Sequence, residues 1–410
     1  MSGKELTVLV IFAVTYLLIA SRKLRLLPIG RPAGALLGAL AMVAVGAITP
    51  QESYRAVDHD TLVLLFGMMM ITVYLDEAGF FKLTAESLLK LSRSPRVLLA
   101  GVALLAGVLS AFLVNDAVCL FLTPVVILIC QAARLQLGPF LLAVATSSNI
   151  GSAATLVGNP QNMIIGHMSG YPFALYLWRS LPAVLVGLAI NIALLLIYFG
   201  RRLPQRLEFS LDFSTLDGKR FVLAMLVVAG VVYGFFAGYH LGYTTVAGAV
   251  VFILAEGQEP RRVFARVDWT LLVFFCGLFV VVGALQATGL VGKVWRAASP
   301  YLNFHEPAGI GAFSALMLVG SNIVSNVPMV LLSGPHLSEF GNPQLGWLLL
   351  GFTTTVAGNF TLLGSVANII VAESAREHYT LGFWEYLKFG LVSTLLVMAA
   401  GVFLLCWFWG

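Results

Sequence analysis

Asn115 and Asp116 stand side by side in residues 111–124, AFLVNDAVCLFLTP, a segment that is otherwise apolar. A charged carboxylate at the centre of a membrane costs about 3 kcal/mol on insertion scales, so one placed there is commonly protonatable and tied to an ion or proton pathway. The same two residues are good helix N-caps, which the tip of a re-entrant hairpin would need. The readings coexist, because a hairpin tip at the midplane also aims helix dipoles at a bound ion. Residues 319–335, VGSNIVSNVPMVLLSGP, place Ser325-Asn326 at the matching point of a second such segment, and Val327 stands where the first has Asp116. One half of the chain thus offers a titratable group and the other only neutral ligands.

A phrase said twice carries the rest of the chemistry. Residues 155–165 read TLVGNPQNMII and residues 361–371 read TLLGSVANIIV, 206 positions apart. Ser147-Ser148-Asn149-Ile150-Gly151 precedes the first, with Gly158, Asn159, Pro160, Gln161 and Asn162 inside it; Gly358-Asn359 precedes the second, with Thr361, Gly364, Ser365 and Asn368 inside it. Gly and Pro release backbone groups from the helix ladder. Released carbonyls at membrane depth survive only against protein or a wet cavity, where they coordinate cations; released N–H groups with Asn, Ser and Thr side chains hold an oxyanion or a neutral hydroxylated solute. Small-residue helix packing with interhelical hydrogen bonds is the plainer account of the Ser and Gly residues, but it leaves the repeated interruption unexplained.

The elements that must position these residues follow from composition. Of 410 residues, 59% are hydrophobic and 10% charged, with a mean hydropathy of +0.94, against about 25% charged in a soluble domain. The chain is an all-α polytopic membrane protein; a β-barrel would alternate in segments of about ten residues, and the run 181–199 does not. The net charge of +5 sits in short loops and calls for no nucleic acid. The four cysteines, Cys119, Cys130, Cys276 and Cys406, lie in apolar stretches at no metal-binding spacing. No cofactor, metal or catalytic constellation is expected, and so no enzyme. Residues 7–20 read as a first membrane helix, not a cleaved leader, because basic residues follow them.

Spans of about 20 apolar residues are expected at 6–20, 30–48, 61–78, 138–168 (broken), 174–199, 221–238, 243–257, 269–289, 345–372 (broken) and 383–408, with re-entrant hairpins at 97–133 and 307–336. That makes about ten spans and two hairpins. The basic clusters Arg22, Lys23, Arg25, Arg31; Lys82, Lys90, Arg93, Arg96; Arg201, Arg202, Arg206, Lys219, Arg220; and Arg261, Arg262, Arg266 then fall on one face, the cytoplasmic one. The loops 49–60, 169–173, 239–242 and 290–306 face outside with both termini. Asp58 before the third span has its counterpart in Asp268, 210 residues on, and Asn115 in Asn326, 211 residues on. Residues 1–200 and 221–410 are thus collinear repeats of inverted topology around a linker at 201–220, an arrangement typical of secondary transporters.

At these residues the chain resembles the ion transporter superfamily, which includes divalent-anion/sodium symporters, one type of bacterial sodium/proton antiporter, arsenite permeases and plant silicic-acid efflux transporters. The resemblance covers nearly the whole chain. It is nearest to the arsenite permease and silicic-acid efflux branch in residues 27–37 (LPIGRPAGALL), the Asn115-Asp116 tip, residues 139–155 (PFLLAVATSSNIGSAAT) and residues 158–162 (GNPQN). In the symporter branch each hairpin tip is similar to Ser-Asn-Thr and binds sodium. Here the tips are Val114-Asn115-Asp116 and Ser325-Asn326-Val327; the absent Thr residues stand against dicarboxylate binding, and Asp116 favours proton coupling.

The resemblance implies a transport domain that moves against a scaffold, in a homodimer. The expectation is therefore a proton-coupled antiporter of a bacterial-type inner membrane, exporting a small weak acid or oxyanion such as silicic acid or arsenite. Asp116 would carry the proton beside Asn115. Ser148, Asn149, Gly158, Asn159, Asn162, Ser325, Asn326, Asn359, Thr361, Gly364, Ser365 and Asn368 would bind substrate or ion. A sodium-coupled importer of sulfate or dicarboxylate and a sodium/proton antiporter are the rival expectations.

Overall fold

The structure is a computed structural model that describes residues 3–24, 30–207, 218–257 and 259–410, without the side chains of residues 20–24. The side chains of Arg22 and Lys23, Arg25, residues 27–29 of the family-like segment and residues 208–217 of the expected linker lie outside the described residues.

Every regular element among the described residues is helical. The first half runs α1 (Gly3–Leu24), α2 (Arg31–Ala44), α3 (Pro50–Ala56), α4 (His59–Glu77), α5 (Phe80–Leu91), α6 (Pro95–Phe112), α7 (Asn115–Ala132), α8 (Leu137–Ser152), α9 (Pro160–Ser169) and α10 (Phe173–Phe199). The second half repeats that order element for element: α11 (Gly218–Phe236), α12 (Leu241–Glu256), α13 (Arg261–Arg266), α14 (Trp269–Ala287), α15 (Leu290–Ala298), α16 (Pro307–Val324), α17 (Asn326–Ser333), α18 (Pro343–Ala357), α19 (Val366–Ser374) and α20 (Phe383–Trp409).

The sequence fixes the starts of matching elements with matching devices. Asp58 caps α4 by accepting from the Thr61 N–H at 3.0 Å, and Asp268 caps α14 by accepting from the Leu271 N–H at 3.0 Å. Proline occupies the first helical position of α6, α9, α16 and α18, where its missing N–H costs nothing. Packing crosses between the halves: α2 lies on α14 and α4 on α12, while α10 pairs with α20.

Among the described residues, eight helices, α4, α6, α7, α10, α11, α14, α16 and α20, are long and apolar enough to cross a membrane, where about ten spans and two hairpins were expected. For four of the expected spans the difference is one of length. Helices α2 and α12 have only 14 and 16 residues, and each broken span is divided, into 16 and 10 residues in one case and 15 and 9 in the other. Large apolar side chains such as Leu40, Ile197, Leu254 and Trp407 point outward, as a lipid-facing surface requires.

Two sets of contacts define the ends of this bundle. On one face Arg266 bridges Asp76 at 2.6 Å and Glu77 at 3.6 Å, Arg96 Nε donates to the Gly200 carbonyl at 2.8 Å, and Arg220 pairs with Glu256 at 3.7 Å. Those bonds gather the described basic loops together. On the opposite face Asp60 meets His167 and His240, and Lys293 meets Glu5 at 3.0 Å.

Candidate functional site

Helices α6 and α7 are separated by two extended residues, Leu113 and Val114, so that Asn115 opens α7. Helices α16 and α17 are separated by Ser325 alone, which adopts φ 78° and ψ 161°, a backbone region that side chains other than glycine rarely enter. Residues 153–159 leave the helix between α8 and α9, and residues 358–365 do so between α18 and α19.

The repeated phrase performs one structural job in each half. Asn162 Nδ2 donates to the carbonyls of Ser152 (3.2 Å) and Thr155 (2.9 Å), ten and seven residues earlier. Asn368 Nδ2 donates to the carbonyls of Gly358 (2.8 Å) and Thr361 (3.1 Å), again ten and seven residues earlier. These amides hold carbonyls released by the unwinding, which would otherwise be left unsatisfied at a cost of about 1–3 kcal/mol each. The phrase's threonines then tie each broken helix to its own hairpin. Thr155 Oγ1 donates to the Ala111 carbonyl, and Thr361 Oγ1 to Asn322 Oδ1 at 3.3 Å. The tip itself is bound in the first half, where the Asn115 N–H donates to the Gly158 carbonyl at 2.9 Å.

Asn149 joins the halves. Its Oδ1 accepts from Asn115 Nδ2 at 3.0 Å and from Ser365 Oγ at 3.1 Å; its Nδ2 donates to Asn359 Oδ1 at 2.8 Å and Asn368 Oδ1 at 3.0 Å. Asn359 Nδ2 donates onward to the Thr146 carbonyl at 2.9 Å. Asn159 caps α9 through the Asn162 N–H at 2.8 Å and donates to Ser152 Oγ and Thr355 Oγ1. Ser148 Oγ lies 3.1 Å from Cys119 Sγ and donates to the Ala145 carbonyl. All of these amides are buried.

A cavity of about 40 Å³ lies between the two tips, lined by Asn115, Asp116, Gln161, Ser325, Asn326 and Ser365 with Pro160, Phe274, Phe275, Val327, Pro328 and Val366. It admits a few waters or one small inorganic solute, far less than the several hundred Å³ of a site for an organic ligand. Among the described residues, no Lys, Arg or His lines it. Asn115 Oδ1 and Asn326 Oδ1, one from each tip, are buried and have no hydrogen-bond partner among the described residues. Both are acceptors, so they suit a hydroxyl donor or a cation.

Asp116, itself buried, also lines a second cavity with Arg266 and Asp268 on the basic face. A third cavity shares Ser325 and Ser365 with the first and runs past Asn322 and Gly364 to Arg31.

Of the residues singled out in the sequence, Asn115, Asp116, Ser325, Asn326 and Ser365 line the central cavity and Gly364 the adjoining one. Asn149, Asn159, Asn162, Asn359, Thr361 and Asn368, with Ser148 and Gly158, form the hydrogen-bonded frame behind it. Sequence reasoning passed over Gln161 and Thr355 as site residues. Gln161 lines the cavity and donates to Thr355 Oγ1 at 3.1 Å; the run Thr353-Thr354-Thr355 in an apolar helix was the available signal.

Residues 16–357 match the family model described as Citrate transporter (CitMHS). The chain is 32% identical over 464 residues to a silicon efflux transporter of Oryza sativa subsp. japonica, with 96% of each chain covered. It is 31% identical over 512 residues to a protein of Dictyostelium discoideum named as transporter arsB, covering 96% of this chain and 91% of that one. Among solved structures, the YdaH transporter of Alcanivorax borkumensis superposes with a TM-score of 0.53 at 15% identity, over 91% of this chain and 88% of that one. That last likeness speaks for the fold alone.

Proposed function

The chain belongs to the CitMHS citrate transporter family, a family of membrane transporters, and we propose that it is a proton-coupled antiporter exporting a small, neutral, hydroxylated weak acid such as silicic or arsenous acid. The observation that carries this reading is the cavity between the tips, where the described residues supply two unpartnered amide acceptors, amide and hydroxyl groups around them, one carboxylate and no cation. A tricarboxylate would meet Asp116 there without a counter-charge, so the family's printed substrate is not carried over. The silicon efflux and arsB relatives support the hydroxylated acid.

Asp116 is the proton carrier in this reading, and Asn115 and Asn326 accept the hydroxyls. An ionised Asp116 at membrane depth costs about 3 kcal/mol, a factor of roughly 100 in population. The empty site therefore moves when Asp116 is protonated, and the loaded site when the solute's hydroxyls donate to the carboxylate in the proton's place, so the two cross in turn. The two hairpins and two broken helices form the moving body of an elevator, with α2, α4, α12 and α14 in the fixed one. The basic face is cytoplasmic, the repeats are inverted, and the protein works as a homodimer in the inner membrane. The two amide oxygens would serve sodium equally well, which keeps a sodium-coupled symporter or sodium/proton antiporter as the second reading.

Reconstitution decides between them. With an imposed pH gradient, wild-type liposomes should move silicic acid or arsenite without sodium, and Asp116→Asn should reduce that flux at least about tenfold. Full flux from Asp116→Asn would remove the proton-carrier role. Sodium-dependent uptake of sulfate or succinate that survives Asp116→Asn would establish the symporter; sodium-dependent collapse of the pH gradient without added solute would establish the antiporter.

A further inference from the structure

The face opposite the basic loops carries three titratable side chains that the transport chemistry leaves unused. Asp60 Oδ2 lies 2.9 Å from His167 Nδ1, and Asp60 Oδ1 lies 3.3 Å from His240 Nε2. Each comes from a different element. Asp60 is in the first turn of α4, His167 in the last turn of α9, and His240 is the cap of α12, accepting from the Tyr243 N–H at 3.5 Å. Their side chains are 43%, 50% and 48% exposed, so all three are open to solvent. They border a cavity of about 460 Å³ whose walls also include Thr61, Tyr171 and Tyr239.

We propose that this cluster is a pH-sensitive latch between the moving and fixed bodies, holding the end of α9 against α4 and α12 when the solution on that face is acidic. The proposal rests on the elevator reading, in which α9 moves and α4 and α12 do not. Helix α9 packs on α4 and, from the other half, on α17 and α18, so it is the element through which a contact at Asp60 reaches the second hairpin. Protonation of an imidazole adds the attraction of opposite charges to its bond with a carboxylate, and histidine changes charge between pH 5 and 8. Protonation of both rings therefore strengthens both arms, and both weaken as the pH rises.

The other charged or titratable groups nearby do not compete for the carboxylate in this structure. Tyr171 accepts from Arg179 Nη1 at 2.6 Å, and burial raises its hydroxyl above the usual range, so it stays neutral. Arg179 also binds Gln344 at 2.7 Å and stacks on the Trp409 ring. Asp58 is engaged by Thr61, and His59 precedes Asp60 on α4.

The test reads the distance across the latch directly. Spin labels at Ser169→Cys and Tyr243→Cys, with Cys276 and Cys406 replaced by Ala, report the separation of α9 from α12 in liposomes without solute. The ratio of short to long populations should change by up to about tenfold per pH unit for each proton bound, favouring the short one at pH 5.5. His167→Gln with His240→Gln should abolish that dependence, as should Asp60→Asn alone. A ratio constant from pH 5.5 to 8, or a wild-type response in the His167→Gln/His240→Gln protein, overturns the latch. Solute flux in the same liposomes separates the two proposals. Flux with a pH-independent ratio removes the latch and leaves the transport reading; a titrating ratio without flux does the reverse.

Discussion

Ser325 is held at φ 78° in the second tip, where its hydroxyl faces the central and adjoining cavities. A non-glycine residue in a sparsely populated backbone region costs about 1–3 kcal/mol and persists where function or packing demands it. The two causes make opposite forecasts. Ser325→Gly relieves the backbone, so thermal stability should rise by a few degrees; Ser325→Ala keeps the strain and should leave stability unchanged. If the hydroxyl contacts solute, both variants lose flux, by about fivefold or more for one hydrogen bond of ~1 kcal/mol. Normal flux from Ser325→Ala would restrict Ser325 to shaping the turn. At this scale the sequence was most legible where a polar residue interrupted an apolar run: Asn115, Asn149, Asn326 and Asn359 all fall in or directly behind the site. It was least legible in assigning roles. Asn162 and Asn368 have the same residue type and the same repeat logic as the tip asparagines, yet their amides are spent on carbonyls ten and seven residues earlier, a relation that appears only once the chain is unwound.

The elements position the tips through their packing distance. Helices α6 and α8 approach so closely that a methyl group on Gly151 would lie on the backbone of Gly107, 2.5 Å from its Cα. No side-chain rearrangement relieves a clash with main chain, so Gly151→Ala must push α6 away from α8 at a cost of about 1–3 kcal/mol. Because α6 is the first arm of the hairpin, the displacement carries to Asn115 and its bonds to Asn149 and Gly158. Gly151→Ala should lower the thermal midpoint by several degrees and reduce flux. Unchanged stability of Gly151→Ala would show that the helices part freely. The sequence marked both broken helices, because Gly158-Asn159-Pro160 and Gly358-Asn359 cannot continue a helix ladder. It did not mark the inequality of the hairpins. The second arm of the first has 18 residues and that of the second has 8, because Gly334-Pro335 turns the chain into a 3-10 segment at Gly334–Phe340.

At the scale of the molecule, the ten-element order recurring across the halves and the crossed packing of α2 on α14 and α4 on α12 make the basic face a property of both repeats together. Arg266, from the second half, closes on Asp76 and Glu77 from the first, and it covers the Phe121 ring on the first hairpin at 5.2 Å. The cavity beside it reaches Asp116. In the proposed reading, a proton leaving Asp116 by that cavity passes between Arg266 and Asp268. The opposite face offers Asp60, His167 and His240 instead. This polarity makes orientation testable without any knowledge of the solute. In intact cells, a cysteine placed at Tyr239, which is 63% exposed, should react with a membrane-impermeant maleimide, whereas one placed at Arg262, which is also exposed, should react only after the membrane is opened. The reverse pattern would put the basic loops outside, against the electrostatic rule that orients short loops, while the proton gradient would still set the direction of exchange. Reaction of both positions in intact cells would mean that the two faces are not separated by the bilayer, and the crossing helices would need to be assigned anew.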